Sequence, residues 1–182
     1  ALPFKQDLTK AKQLLAEGGY PNGFEVELAF SSPHPTRVDI AQVVQNDLAK
    51  IGIKVKLAGA AASSVLQKYR AQGLQMVIYG WGVDYPDPDA LAKPFADGTI
   101  KQLAYRNGWM DPKATDLTRK AMLERDPRRR VALYKELTEL VAHKGPFVIL
   151  HQITNNWVIR TYVKGWEQAG ALGTFHFDFT KV

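Results

Sequence analysis

The residues of this chain that could do chemistry gather in one stretch, 76–89. Met76, Val77, Ile78 and Tyr79 form an apolar run with β-branched and aromatic members, which reads as a buried strand. After Gly80, Trp81, Gly82 and Val83 it gives way to a loop with Pro86 and Pro88 set among Asp84, Asp87 and Asp89, where regular structure cannot continue. Trp81 and Asp84 therefore fall where a strand gives out, and open α/β sheets bind ligands at the carboxyl ends of their strands. An aromatic face and a carboxylate at that place suit a ligand with an apolar body and a cationic group, such as a free amine. The same residues also make sense as plain structure. A Trp at a strand end is commonly core, and aspartates before prolines are ordinary turn formers.

Other chemistries lack their parts. His34, His143, His151 and His176 are spread singly, without the i,i+4 pairing of a helical zinc site, so no metal is expected. His176 with Asp178 reads as a surface pair. The absence of cysteine removes disulfides, thiol nucleophiles and cysteine metal sites together. The glycine-rich loops of nucleotide binding and the nucleophile elbow of serine hydrolases are missing. Asp84, Asp87 and Asp89 have the composition of a carboxylate cluster for magnesium or glycoside hydrolysis, but no base–nucleophile set surrounds them. The expectation is a protein that is not an enzyme and needs no cofactor. Two alternatives stand beside it: a carboxylate-dependent hydrolase using Asp84 and Asp87, or a protein–protein interaction module, the latter favoured if Trp81 lies in the core.

A chain of 182 residues with 46% hydrophobic content can bury one sizeable core. No apolar segment reaches the roughly 20 residues needed to span a bilayer. The opening residues Ala1, Leu2, Pro3, Phe4 and Lys5 lack a signal-peptide core, so the sequence reads as unexported, mature or excised. The net charge of +6 is scattered, its densest cluster being Arg128, Arg129 and Arg130. Basic and aromatic residues do not interleave as in a nucleic-acid groove, and no nucleic-acid partner is expected.

The elements that must position these residues follow in order. Asp7 caps a helix whose Leu8, Ala11, Leu14 and Leu15 share a face, stopped by Gly18 and Gly19. Phe24, Val26, Leu28 and Phe30 alternate with Glu25, Glu27 and Ala29 as a strand. Thr36 with Asp39 has the spacing of a capping box, opening a helix that carries Ile40, Val44, Leu48 and Ile51 inward and stops at Gly52. Ile53, Val55 and Leu57 form a second strand, residues 58–62 a linker, and Ser63 or Ser64 the cap of a helix through Leu66 and Tyr69. The central strand, 76–81, follows. Connections of this length imply parallel pairing, hence an α/β fold.

Downstream, residues 90–96 read as a short helix and 97–110 as irregular. Asp111 with Pro112, and Asp126 with Pro127, open two more helices with Asp at the cap and Pro in the first turn. Val131, Tyr134, Leu137 and Val141 line the second. Three arginines in its first turn oppose the helix dipole, which asks for an acidic neighbour or partner, or reflects indifferent solvent exposure. Residues 147–152 and 157–160 read as strands joined by 153–156. Phe175, Phe177 and Phe179 alternate with His176 and Asp178 as a last strand.

Taken together, these words resemble the C-terminal lobe of the extracytoplasmic solute-binding proteins of the dipeptide/oligopeptide/nickel ABC-importer family (family 5). The matching segments are 7–24, 40–42 through 47–55, 80–88, 126–130, Leu133 with Tyr134, and 163–165. In order, they cover nearly the whole chain. The resemblance implies a three-layer, periplasmic-binding-protein-like α/β lobe with a mostly parallel sheet flanked by helices. It closes with a larger N-terminal lobe over a peptide or related amine-bearing solute and presents it to an ABC permease. In peptide-binding members the aspartate three residues after the Trp of this motif holds the ligand's α-amino group, a position filled here by Asp84; Trp81 would wall the pocket, with Tyr85 beside it. Dipeptide binders place an arginine just after the first strand for the ligand carboxylate. Ser31 stands at that position, with Arg37 nearby as a substitute.

Tyr105, Asn107 and Trp109 are further candidates for the cleft rim, or else a loop anchored by its aromatics. The resemblance also implies that residues 1–182 are a single lobe separated from its N-terminal lobe, that 163–182 would return towards that lobe, and that the parent is periplasmic or lipid-anchored outside the cytoplasm, with its signal not in this chain. A Phe175–Phe177–Phe179 strand stripped of its cover would promote self-association.

Overall fold

The alternation of charged and apolar residues from Glu25 onward builds the strand on which the first unit rests. The computed structural model of the chain describes residues 4–151, 158–162 and 164. Its elements are α1 (Leu8–Glu17), β1 (Glu25–Ser31), α2 (Pro35–Ala49), β2 (Lys54–Ala60), α3 (Ala62–Arg70), β3 (Met76–Val77), α4 (Asp89–Ala96), α5 (Leu103–Arg106), α6 (Pro112–Leu123) and α7 (Pro127–Lys144). The chain divides into two compact units, residues 1–80 and 81–182.

In the first unit the described strands form a parallel sheet in the order β2-β1-β3. The register sets Val26 beside Val55 and Leu28 beside Leu57, while Glu25 and Glu27 face Lys54 and Lys56. Period-two geometry sends Val26, Leu28 and Phe30 to one face, where they join Ala41, Ile53, Val55 and Ile78 with Val38, Ile40, Val44, Leu48 and Ile51 packed on them. Ala29 and Ser31 point the other way and are buried as well; α3 packs against β1 and contributes the buried Val65 and Tyr69. β1 is thus covered on both faces over its carboxyl half, as parallel strands are. Gln45 Nε2 donates to the Val55 carbonyl at 2.7 Å and ties α2 to β2.

Several expectations are corrected here. The central strand is β1; the expected strand over 76–81 pairs only at Met76 and Val77 and lies at the side of β1 away from β2. Ile78 adds one ladder bond, its amide donating to Ala29 O at 2.9 Å. Beyond it Gly80 and Gly82, weak strand formers, interrupt the run. The Thr36–Asp39 capping box does not form, because Pro35 takes the first helical turn and His34 the cap position, without a side-chain bond. β2 runs on through Ala60, so 58–62 is not a linker, and α3 starts at Ala62 behind Ala61 rather than behind Ser63 or Ser64. On α1, Leu8 and Leu14 are 41% and 54% exposed, and Leu15 alone of the expected face packs on the sheet cluster.

The second unit, among its described residues, is helical. Ala96, Ala114, Leu117 and Leu137 form its buried cluster, with Ala92, Trp109, Leu133, Tyr134, Leu140 and Val141 packed against it. Both Asp–Pro starts are realised: Asp111 Oδ1 accepts the Ala114 amide at 3.0 Å and Asp126 Oδ1 the Arg129 amide at 2.8 Å. Val131 is 68% exposed, because it lies about 120° round the helix from the buried Leu137 at 100° per residue. Residues 97–110 are less irregular than expected, since they contain α5.

The expected strands at 147–152 and 157–160 are not strands where they are described, at 147–151 and 158–160. An apolar run needs a neighbouring strand to pair with, and the described part of this unit has no sheet. Phe147 instead packs its ring on Phe95 and Trp109, at centroid distances of 5.0 and 6.2 Å. The expected strand at Phe175, Phe177 and Phe179, the His176–Asp178 pair, the connection 153–156 and nearly all of 163–182 lie outside the described residues.

Two glycine turns meet where β1 and β2 begin. Gly23 has φ +75°, and a Cβ there would lie 2.0 Å from Gly52 O, itself in a turn at φ +89°. Gly19 has a similar φ of +87° but open space around it. Gly19→Ala is therefore expected to cost about 1–2 kcal/mol, the left-handed backbone penalty. Gly23→Ala should cost about 3 kcal/mol or more, because the Gly52 backbone must also move. Urea denaturation followed by circular dichroism measures both, and equal costs would refute the close approach.

Candidate binding loop

The loop after β3 carries three aspartates, and their surroundings separate them. Asp87 Oδ1 accepts the Asp89 amide at 2.8 Å, an Asx-type turn that leads into α4. The same carboxylate receives Arg130 Nη2, at 2.7 Å to Oδ1 and 3.0 Å to Oδ2. That guanidinium, with the Asp89 amide, holds the Asp87 carboxyl below its ordinary value of 3.8. Asp89 is 7% exposed and sits in the first turn of α4, where the helix dipole favours a negative charge. Its Oδ2 accepts the Tyr85 hydroxyl at 2.8 Å and lies 3.5 Å from Lys93 Nζ. The bond to Asp89 pushes the Tyr85 phenol up to about 12.

Asp84 is different. It is exposed, and among the described residues it accepts no hydrogen bond and enters no ion pair. Two residues beside it are fixed by α4: Tyr85 through Asp89, and half-buried Trp81, whose Nε1 donates to Ala90 O at 3.3 Å. The loop therefore presents one uncommitted carboxylate between two tethered aromatic residues.

The remaining candidates divide. Asn107 Nδ2 donates to Leu103 O at 2.8 Å and closes α5. Trp109 is half-buried against the helical cluster and Phe147, and Tyr105 is half-buried on α5. Asn107 and Trp109 thus hold their own segment together. Arg37 belongs to the first unit, in the first turn of α2. It is half-buried, and among the described residues its guanidinium has no hydrogen bond or ion pair. A Cβ added to Gly80 would lie 3.9 Å from Arg37 Nη2, which puts that cation beside the chain as it leaves β3. Ser31, at the end of β1, is buried, with its hydroxyl unpartnered.

Sequence reasoning named Arg130 within its arginine cluster and Asp89 within the loop carboxylates, but did not place either among the ligand-binding residues. A signal for Arg130 was present in the arginines that oppose the dipole of α7, and two of the three have acidic neighbours. Arg130 meets Asp87, and Arg129 Nε lies 3.4 Å from Glu124. Among the described residues no group of acidic or histidine side chains could hold a metal ion, and no helix is long and apolar enough to cross a membrane.

The chain belongs to the bacterial extracellular solute-binding proteins of family 5: the family described as "Bacterial extracellular solute-binding proteins, family 5 Middle" matches residues 2–102. It is similar to the glutathione-binding protein GsiB of Salmonella choleraesuis, 32% identical over 155 residues, which are 81% of this chain and 30% of that protein. Among solved structures it is similar to HbpA2 from Haemophilus parasuis, with TM-score 0.73 and 34% identity over 80% of this chain and 30% of the other. It is similar also to the ABC transporter-associated periplasmic binding protein DppA from Helicobacter pylori in complex with the peptide STSA. There the TM-score is 0.72 and the identity 32%, covering 80% of this chain and 29% of that one. The chain thus spans about 30% of the length of the curated relatives it matches.

The two tethers predict how the loop answers pH. The Asp87 carboxyl is held low, so its contribution is complete above the ordinary 3.8 and is lost as pH falls through its lowered value. The Tyr85 phenol is raised, so its contribution is complete below the ordinary 10.0 and is lost as pH rises through about 12. In the Trp81→Phe background as a blank, the Trp81 emission of the parent chain should stay constant between about pH 4 and pH 10 and change on both sides. Tyr85→Phe should abolish the alkaline change and leave the acid one.

Proposed function

We propose that this chain is the ligand-holding part of the substrate-binding component of an ABC importer, and that its ligands are peptides or related amine-bearing solutes. The observation that carries this reading is the division among the loop aspartates. Asp87 is taken up by Arg130 and the α4 backbone, and Asp89 is buried with Oδ2 on the Tyr85 hydroxyl and Oδ1 unpartnered, whereas Asp84 is left exposed and uncommitted. An ammonium group has three donors and no acceptor, and a carboxylate free of internal donors is its natural partner through charge-assisted hydrogen bonds. Trp81 supplies an aromatic wall beside it.

Arg37, a half-buried cation without a partner among the described residues, has the chemistry to take a ligand carboxylate in place of Ser31. Tyr105 is kept as a rim residue in this reading. The names of the relatives support the ligand class: one is said to bind glutathione and another is in complex with the peptide STSA, and both are peptides with a free amine. The same family supports the wider proposal. Residues 1–182 would form one lobe that closes with an N-terminal lobe of the same parent, in the periplasm or anchored outside the cytoplasm, delivering ligand to a membrane permease. The hydrolase reading loses support from the geometry, because Asp87 is bound to Arg130 on both oxygens and cannot serve as the second working carboxylate.

An NMR titration of the chain with a tetrapeptide and with its N-acetylated form tests the reading. Shifts at residues 81–85 are expected with the free amine alone. Asp84→Asn should weaken that binding by about 1.5–3 kcal/mol, the value of a hydrogen bond to a charged group. Equal shifts with both peptides, or none with either, would overturn it.

A further inference from the structure

Three arginines at the N-terminus of α7 work against its dipole, and one of them is built into a junction. Arg130 uses its guanidinium edges on three elements at once. Nε donates to Ala121 O near the end of α6 at 3.1 Å, and Nη2 reaches both oxygens of Asp87 and the Tyr134 hydroxyl at 3.1 Å. The guanidinium carbon also lies 5.0 Å from the centre of the Tyr134 ring. Only about a quarter of the Arg130 side chain is exposed, at 26%, and Asp87 lies 43 residues away in sequence. A lysine offers its three donors from a single point and lacks the separated Nε and Nη2 with which Arg130 serves Ala121 and Asp87.

What Arg130 grips is the root of the loop. Asp87 holds the Asp89 amide, Asp89 holds the Tyr85 hydroxyl, and Tyr85 adjoins Asp84. We infer that Arg130 is a positioning residue for ligand binding: through Asp87, Asp89 and Tyr85 it fixes where the Asp84 carboxylate stands, without touching the ligand itself. This rests on the amine-binding reading of Asp84. Preorganisation is the physical reason it matters. A backbone already tethered beside Asp84 leaves less freedom to be lost when its carboxylate takes an ammonium, so binding is tighter for the same contact.

Two measurements on the intact chain separate the possibilities. Hydrogen exchange of the Asp87 and Asp89 amides, which donate to Tyr85 O and Asp87 Oδ1, should accelerate at least about tenfold in Arg130→Met, while the amides of Leu117 and Ala121 in α6 keep their protection. Asp87→Asn removes the same pair from the other side and should reproduce the effect if Arg130→Met folds poorly. In the peptide titration, Arg130→Met should weaken the free-amine peptide about tenfold, leave the N-acetylated peptide unchanged, and have no further effect in the Asp84→Asn background. Arg130→Lys should restore little.

Unchanged exchange of the Asp87 and Asp89 amides in both variants would overturn the inference whatever the ligand does. So would a loss of binding equal for the two peptides, which is the mark of general loosening. If the original chain and Asp84→Asn bind the free-amine peptide alike, the amine reading fails and takes the binding role of Arg130 with it. If Asp84→Asn loses the amine preference and Arg130→Met keeps it, the amine reading stands and the inference fails alone.

Discussion

The carboxylate of Asp87 does two jobs that have to agree. It accepts the amide that begins α4, and it receives a cation from α7. The first bond is local and fixes the direction in which α4 leaves the loop; the second is long-range and fixes the loop against the helical unit. Because both converge on one planar group, the loop cannot turn without breaking one of them. Tyr85 is tied into the same chain of bonds through Asp89, while Trp81 is tied separately to Ala90 O. Asp84, by contrast, takes no internal donor among the described residues.

Much of this was legible in the sequence, and what was not has a physical reason. The alternation from Phe24 to Phe30 placed β1, and the Asp–Pro pairs at 111–112 and 126–127 placed the starts of α6 and α7, because these signals act over a few residues. The length of β3 was not legible. Met76 to Tyr79 have strong strand propensity, and β1 runs on to Ser31, yet pairing stops at Val77 and β3 is two residues long. The capping box at Thr36 did not form, since Pro35 already fits the first turn of a helix and the cap falls two residues earlier, at His34.

The candidate site followed the same division. Trp81, Asp84 and Tyr85 were recognisable by type and spacing, and by likeness to a family to which the chain does belong. Their support was hidden. An ion pair 43 residues long in sequence leaves no periodic trace, and a lone arginine at a helix start has several ordinary explanations. Asn107 and Trp109 have a structural part that their types do not announce. Aromatic and amide side chains in a loop are conspicuous to a reader of sequence, yet Asn107 closes a helix and Trp109 fills a gap beside Phe147.

Among the described residues β2 lies at one edge of the sheet, which bears on how copies of this chain behave towards one another. The Lys54 amide turns towards β1, bonding to Phe24 O, so in a parallel ladder the backbone of Val55 faces outward. An open row of that kind is a template for a foreign strand. Here the side chain of Gln45 already occupies the Val55 carbonyl, and exposed Lys54 and Lys56 flank it, drawn to Glu25 and Glu27 of the neighbouring strand. A second copy approaching this edge would bring like charges together, at a separation where about 8 Å of screening in physiological salt still leaves repulsion. In concentrated salt that guard weakens, and Gln45 becomes the principal barrier to strand-by-strand growth of an aggregate.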